Sequence, residues 1–331
     1  MDEQIIHKNP YRDVAVELSW EIDCIDGQLT ILESYTRMLR EKVKRIFNND
    51  AISKSLSGDG VDSVLLNPLI SHQLLISELA PTHIDNLHSE LILGKEKTSN
   101  TSGVPFEIFC SNTISHDIKP LFSLGYSASN ESDTKETARC KVIAAYEMLQ
   151  ITSCFASGLI DRFLKILILE EDMSDLETPG SYSQSSTIGM STIINIQCPA
   201  ATIYFIADAL LHETIHCYLF TIERITGDFA IYEEIKKSNR KIRSPWSGRH
   251  IEVHFFIHAC FVWYGLQSFW RKHNESSNKV NGEPREYFNK AQKGFSGALL
   301  TKHLNGLPIP PRILEAIDHM DYNARSLNPT V

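Results

Sequence analysis

The chain contains no Cys-x-x-Cys pair, no block of Lys and Arg, and no apolar run near the roughly eighteen residues that crossing a bilayer requires. Each absence removes a class of protein. The seven cysteines, Cys24, Cys110, Cys140, Cys154, Cys198, Cys217 and Cys260, are odd in number and scattered. They argue against a disulfide framework or a zinc knuckle and predict reduced, mostly buried thiols. The formal net charge is -9, with 32 basic residues dispersed among 41 acidic ones. That balance argues against a phosphate-backbone partner, so no nucleic acid is expected. The sequence starts Met-Asp-Glu-Gln-Ile-Ile-His-Lys, without a basic stretch leading into an apolar core. A soluble, cytoplasmic protein with no membrane association is the expectation. Internal repeats are absent as well.

What is present is a chain of 331 residues, 42% hydrophobic, long enough to bury a sizeable core in one large domain or two. Apolar residues recur at helical spacing from Val14 to Phe47 (Leu18, Ile22, Ile25, Leu29, Leu32, Leu39, Val43, Ile46), which predicts one long helix stopped by Asn48-Asn49. Residues 62–95 carry short apolar clusters, and 96–134 read as polar loops with a short strand at Phe106–Phe109. A second helix is predicted from Lys135 to Glu171, and a flexible polar segment from Gly180 to Met190. A strand is predicted at Thr192–Gln197, then a helix from Pro199 to Ile225. Further helices are expected over 228–237, 249–272, 284–304 and 311–320, with a turn at Ser244–Gly248. The fold class predicted is mainly α with a small β component, an α+β arrangement. Two domains are expected: 1–130, a helical region without a motif and a candidate peptide-recognition face, and 131–331, a catalytic domain.

The chemistry concentrates in His212-Glu213-Thr214-Ile215-His216. On a helix the two histidines lie four residues apart on one face, so both imidazoles can close on one divalent metal ion. Glu213 sits beside them, where in a zinc hydrolase it would polarise a metal-bound water. The flanks Ala209-Leu210-Leu211 and Cys217-Tyr218-Leu219-Phe220 are apolar, so the helix is expected to be internal and its ionisable groups to need partners. Asp208 lies on the same face, either hydrogen-bonded to a ligand imidazole or a solvated helix carboxylate. A third ligand is needed. The extended metzincin pattern would place Gly at 219 and His at 222, where this chain has Leu219 and Ile222. The helix starting near Arg249 offers Glu252, His254 and His258, and His258 is favoured because its neighbours Ile257, Ala259, Cys260, Phe261 and Val262 indicate burial.

The arrangement Leu210-Leu211-His-Glu-Thr-Ile-His216, then Ser244-Pro-Trp246, Arg249 and His258-Ala-Cys-Phe-Val-Trp263 resembles the HExxH-motif proteins found beside ribosomal peptide natural-product genes. Members of that family are regarded as iron- and 2-oxoglutarate-dependent peptide β-hydroxylases on a zincin-like core. The resemblance covers about residues 180 to 272. The family pattern has Arg directly after the Trp and Pro after the later Arg, where this chain has Ser247 and His250.

The resemblance implies Fe(II) on His212, His216 and His258, with open positions for 2-oxoglutarate and dioxygen. The distal carboxylate of 2-oxoglutarate would meet a guanidinium, with Arg249 and Arg243 as candidates. Non-haem iron oxygenases commonly use two histidines and a carboxylate, so Glu213 or Glu252 could replace one imidazole. The substrate implied is a precursor peptide. Two other readings stand beside this one. A zinc peptidase would use Glu213 as general base and His254 to stabilise the oxyanion. A non-enzymatic helical interaction protein would hold a structural metal.

Overall fold

The structure, a computed structural model, describes residues 9–21, 25–47, 65–66, 68, 71, 104–110, 132–172, 175–185, 187–237, 239–277 and 282–326. The apolar clusters expected over 62–95 and the loops expected over 96–134 lie largely outside them, as does most of the expected peptide-recognition region. The fold is mainly α with a small β component. In chain order the elements are α1 Pro10–Glu17, α2 Ile25–Phe47, β1 Glu107–Cys110, α3 Ser132–Thr152, α4 Cys154–Phe163, β2 Ile166–Glu170, β3 Gly180–Ser183, β4 Met190–Ile194, α5 Ile203–Thr226, α6 Phe229–Lys236, β5 Lys241–Arg243, β6 His250–Glu252, α7 Val253–Ser277, α8 Glu283–Gln292 and α9 Pro311–Ser326. Among the described residues no helix is long and apolar enough to cross a membrane.

Two compact units divide the chain: Met1–Gly27, Met148–Gly158 and Ile222–Val331 form one, Gln28–Glu147 and Leu159–Thr221 the other. The second unit is built on a four-stranded sheet of order β1-β2-β4-β3. β2 runs parallel to both β1 and β4, while β3 pairs antiparallel with β4 and ends the sheet. All five residues of β2, Ile-Leu-Ile-Leu-Glu, are buried, as in a parallel strand covered on both faces. The expected helix from Lys135 through Glu171 is therefore corrected: it is two helices, α3 and α4, broken at Ser153, and after Phe163 the chain enters β2. A short continuous apolar run fits a buried helix or a buried strand equally well, and pairing partners distant in sequence decide. The turn is fixed by Gly189, whose φ of +90° favours glycine and whose carbonyl accepts from the amides of Lys165 and Ile166 at 2.8 and 3.1 Å.

Two more expectations in this unit change. The polar segment at 180–190 contains an ordered edge strand, β3, because the β4 ladder supplies its hydrogen bonds despite weak strand propensity in Gly-Ser-Tyr-Ser. Helix α5 begins at Ile203, not Pro199. The Thr202 hydroxyl accepts from the Phe205 amide at 3.2 Å and caps it.

The first unit is helical around α7, whose Phe256, Phe261, Leu266, Phe269 and Trp270 are buried. The single N-terminal helix expected from Val14 to Phe47 is broken. α1 stops at Glu17, Trp20 takes a φ of 57°, and its indole is buried, donating to the Gly265 carbonyl at 2.8 Å. A tertiary anchor has overridden helical periodicity. The helix expected over 284–304 is also shorter, α8 giving way at Lys293 to two 3₁₀ turns, Lys293–Ser296 and Leu300–Leu304. The stretch predicted to start a helix at Arg249 first forms the β5–β6 hairpin, which encloses the expected turn at Ser244–Gly248. Trp246 at its tip donates to the Ala291 carbonyl at 2.8 Å and packs so closely on Gly294 that a Cβ there would meet the indole at 2.1 Å.

Candidate metal centre

Helix α5 is buried almost all round, and its threonines are accommodated by bonding back to the helix: Thr214 to the Leu210 carbonyl at 2.7 Å and Thr221 to that of Cys217 at 2.8 Å. His212 and His216 project from it half-buried, their ring centroids 5.1 Å apart. The helical spacing that motivated a metal pair is thus realised. Phe220 stacks on His216 at 6.0 Å. Asp208 is buried, which removes its reading as a solvated carboxylate.

Glu213 is buried too, and each of its oxygens accepts a serine hydroxyl. The Ser181 hydroxyl donates to Oε1 at 2.7 Å and the Ser183 hydroxyl to Oε2 at 2.8 Å. Ser181 and Ser183 are two apart in β3, so both side chains leave the same face of the strand and meet one carboxylate. Glu213 thereby ties α5 to the sheet edge. The next residue of interest, Cys217, lies 3.9 Å from the Ser191 hydroxyl, and burial pushes its thiol up to about 12. It is an inert core group. Among the described cysteines Cys198, Cys217 and Cys260 are buried, whereas Cys140 and Cys154 are exposed.

A second cluster joins the end of α5 to α7. Glu223 is wholly buried, and its Oε1 lies 2.7 Å from His258 Nε2 and 3.0 Å from His254 Nε2, with Oε2 3.1 Å from His254 Nε2. His254 and His258 stand four residues apart on α7, their rings meeting edge-on at 4.4 Å. Tyr232 of α6 stacks on His254 at 4.4 Å and fixes that ring from the other side. Burial alone would raise the Glu223 carboxyl, but the imidazoles of His258 and His254 more than reverse it and bring it down to about 2. Burial shifts His258 downward, opposed by the Glu223 charge. Beside this cluster Asp228, also buried, accepts from Tyr11 at 2.9 Å and from Thr226 at 2.7 Å and pairs with Arg312. Burial raises the Tyr11 hydroxyl far above its usual range, so it stays a neutral donor.

Among the described residues, Glu223, His254 and His258 are the group of three whose potential ligating atoms all lie within 4.8 Å of one another, and no such group includes His212 or His216. Of the three expected ligands, the structure pairs His212 with His216 and joins His258 to Glu223 and His254. Arg243 and Arg249, the guanidinium candidates, sit exposed on the β5–β6 hairpin, Arg243 donating to the Gly248 carbonyl at 3.3 Å. Glu252, at the end of β6, is half-buried.

Sequence reasoning passed over Glu223. The signal was there: a carboxylate following the largely apolar stretch Cys217–Ile222, seven residues beyond His216 on one helix face, has to find a partner. No protein-family model and no curated protein matches this chain, so its functional reading rests on the residues and geometry just described.

Proposed function

We propose that the chain is an Fe(II)- and 2-oxoglutarate-dependent oxygenase that hydroxylates the β-carbon of a residue in a ribosomally made precursor peptide. The observation that carries this reading over its nearest rival is the state of Glu213. A zinc peptidase of the His-Glu-x-x-His type needs that carboxylate to take a proton from water. Here it is buried and accepts one serine hydroxyl on each oxygen, an arrangement suited to holding α5 against β3. That engagement favours an anchoring role for Glu213 over a role as general base.

Iron(II) takes imidazole together with carboxylate, and the chain offers two separate groups of such donors: His212 with His216 on α5, and Glu223 with His254 and His258. Bound iron would supply the activation of dioxygen, with 2-oxoglutarate decarboxylated to succinate as the source of electrons. Arg249 and Arg243 remain the candidate cations for the ketoacid's distal carboxylate. A peptide substrate agrees with β3, which among the described residues ends the sheet and can pair with an extended chain along its outer edge. The zinc peptidase reading keeps the support of two imidazoles correctly spaced on one helix.

The two separate in one experiment. Protein loaded anaerobically with Fe(II) and given 2-oxoglutarate, dioxygen and candidate peptides should release succinate and carbon dioxide in step with the gain of one oxygen atom on the peptide. Peptide cleavage by the zinc form, with no succinate from the iron form, would overturn the proposal.

A further inference from the structure

We infer that Glu223, His254 and His258 form a binding site for one divalent transition-metal ion, with neither His212 nor His216 among its donors. The inference holds for an oxygenase and equally for a chain that performs no oxidation, because it rests on the donor atoms alone.

The first argument is convergence. Ligands at neighbouring positions around an ion, each about 2.1 Å from it, are about 3 Å from each other. The Glu223 oxygens stand 2.7 to 3.1 Å from the two imidazole nitrogens, and all three donors lie within 4.8 Å of one another. Little movement separates the observed cluster from a coordinated one. The second is donor chemistry. One carboxylate and two imidazoles suit Fe(II), Mn(II), Co(II) or Zn(II), and they suit Ca(II) or Mg(II), which prefer oxygen, poorly. The third is charge. The Glu223 side chain is 0% exposed and that of His258 is 1% exposed, so an anion has been placed where no water can solvate it. The two imidazoles already hydrogen-bond that anion, and a cation held by all three groups would balance its charge directly.

The surroundings are built rather than incidental. The histidines are four apart on one face of α7, α5 brings the carboxylate across, and Tyr232 at 4.4 Å holds the His254 ring in place. His254 is the one donor with appreciable access, its side chain 15% exposed, which gives the ion a way in. Three protein donors also leave coordination positions open, as in reactive sites and unlike closed structural ones.

The test uses Co(II) as probe on the full chain stripped by chelator. Co(II) absorption bands and metal content after gel filtration give stoichiometry and affinity, and thermal unfolding with and without Co(II) gives a second readout. One ion should bind to the parent protein and raise Tm. His254→Ala, at the half-buried position least demanding for folding, should weaken that binding by roughly 100-fold or more and abolish the Tm rise. The double variant His212→Ala/His216→Ala should keep the ion. No Co(II) bound by the parent protein, or an affinity unchanged by His254→Ala, would overturn the inference; if the double variant does not fold, the His254→Ala comparison decides alone.

Discussion

Helix α5 carries three buried carboxylates, Asp208, Glu213 and Glu223, and the partners of the last two differ in kind. Glu213 receives two serine hydroxyls from a neighbouring strand, whereas Glu223 receives two imidazoles from a neighbouring helix. Hydroxyls satisfy the oxygens of a carboxylate without altering its charge, so the result is an anchor. Imidazoles can carry a proton or yield their nitrogens to a metal, so the same carboxylate becomes part of a switchable or metal-binding group. Motif spacing draws attention to Glu213, and the geometry gives the richer chemistry to Glu223.

Removing Glu223 should have the largest effect. Glu223→Ala in the metal-free protein takes the shared partner from two imidazoles and is expected to cost about 3 kcal/mol of unfolding free energy at neutral pH, measured by denaturant titration. The pH dependence follows from the depressed carboxyl. A carboxylate held down to about 2, against an ordinary value of 4.5, contributes stability that is fully present above 4.5 and is lost as pH falls through 2. The gap between parent and Glu223→Ala should therefore narrow across that window. A gap of constant size from pH 5 to about 2 would mean that charge pairing is not what holds Glu223.

The opposite member of the comparison is tested by the double substitution Ser181→Ala/Ser183→Ala. It strips both donors from Glu213 and should cost about 2 kcal/mol or somewhat more, since hydrogen bonds to a charged group contribute about 1.5–3 kcal/mol each and water can replace part of them at the half-buried β3 edge. Co(II) affinity should stay within about twofold of the parent, because the serine hydroxyls bond Glu213, which is not one of the three donors. A large loss of metal would join the two carboxylates functionally and break the contrast drawn between them. The smallest single contact in the comparison is the ring stacked on His254: Tyr232→Leu removes it and should cost about 1 kcal/mol beyond its lost burial. Its signature is a modest drop in Co(II) affinity, by roughly tenfold, with the bound stoichiometry intact.

Much of this contrast could be seen in the sequence, and the part that could not has a physical cause. Helix α5 and its histidine pair follow from local spacing, which a helix converts directly into a shared face. The burial of His258 was likewise legible from its apolar neighbours and holds at 1% exposure. Strand β2 was hidden because its identity depends on β1 and β4, which are far away in sequence. The pairing of Glu213 with Ser181 and Ser183 was hidden for the same reason, since β3 is a strand only through its ladder with β4. The Trp20 break is a third case, decided by the Gly265 carbonyl. Glu223 differs from these. It was visible as a charge after a largely apolar stretch, and its partners were already in view as His254 and His258, but the single-helix motif upstream offered a complete-looking alternative.

The most direct measurement is anomalous diffraction from crystals of the full chain grown or soaked with Co(II). The expected result is a cobalt peak about 2.1 Å from a Glu223 oxygen and from one ring nitrogen each of His254 and His258. A peak on His212 and His216 with none at Glu223, or no peak at all, would contradict it.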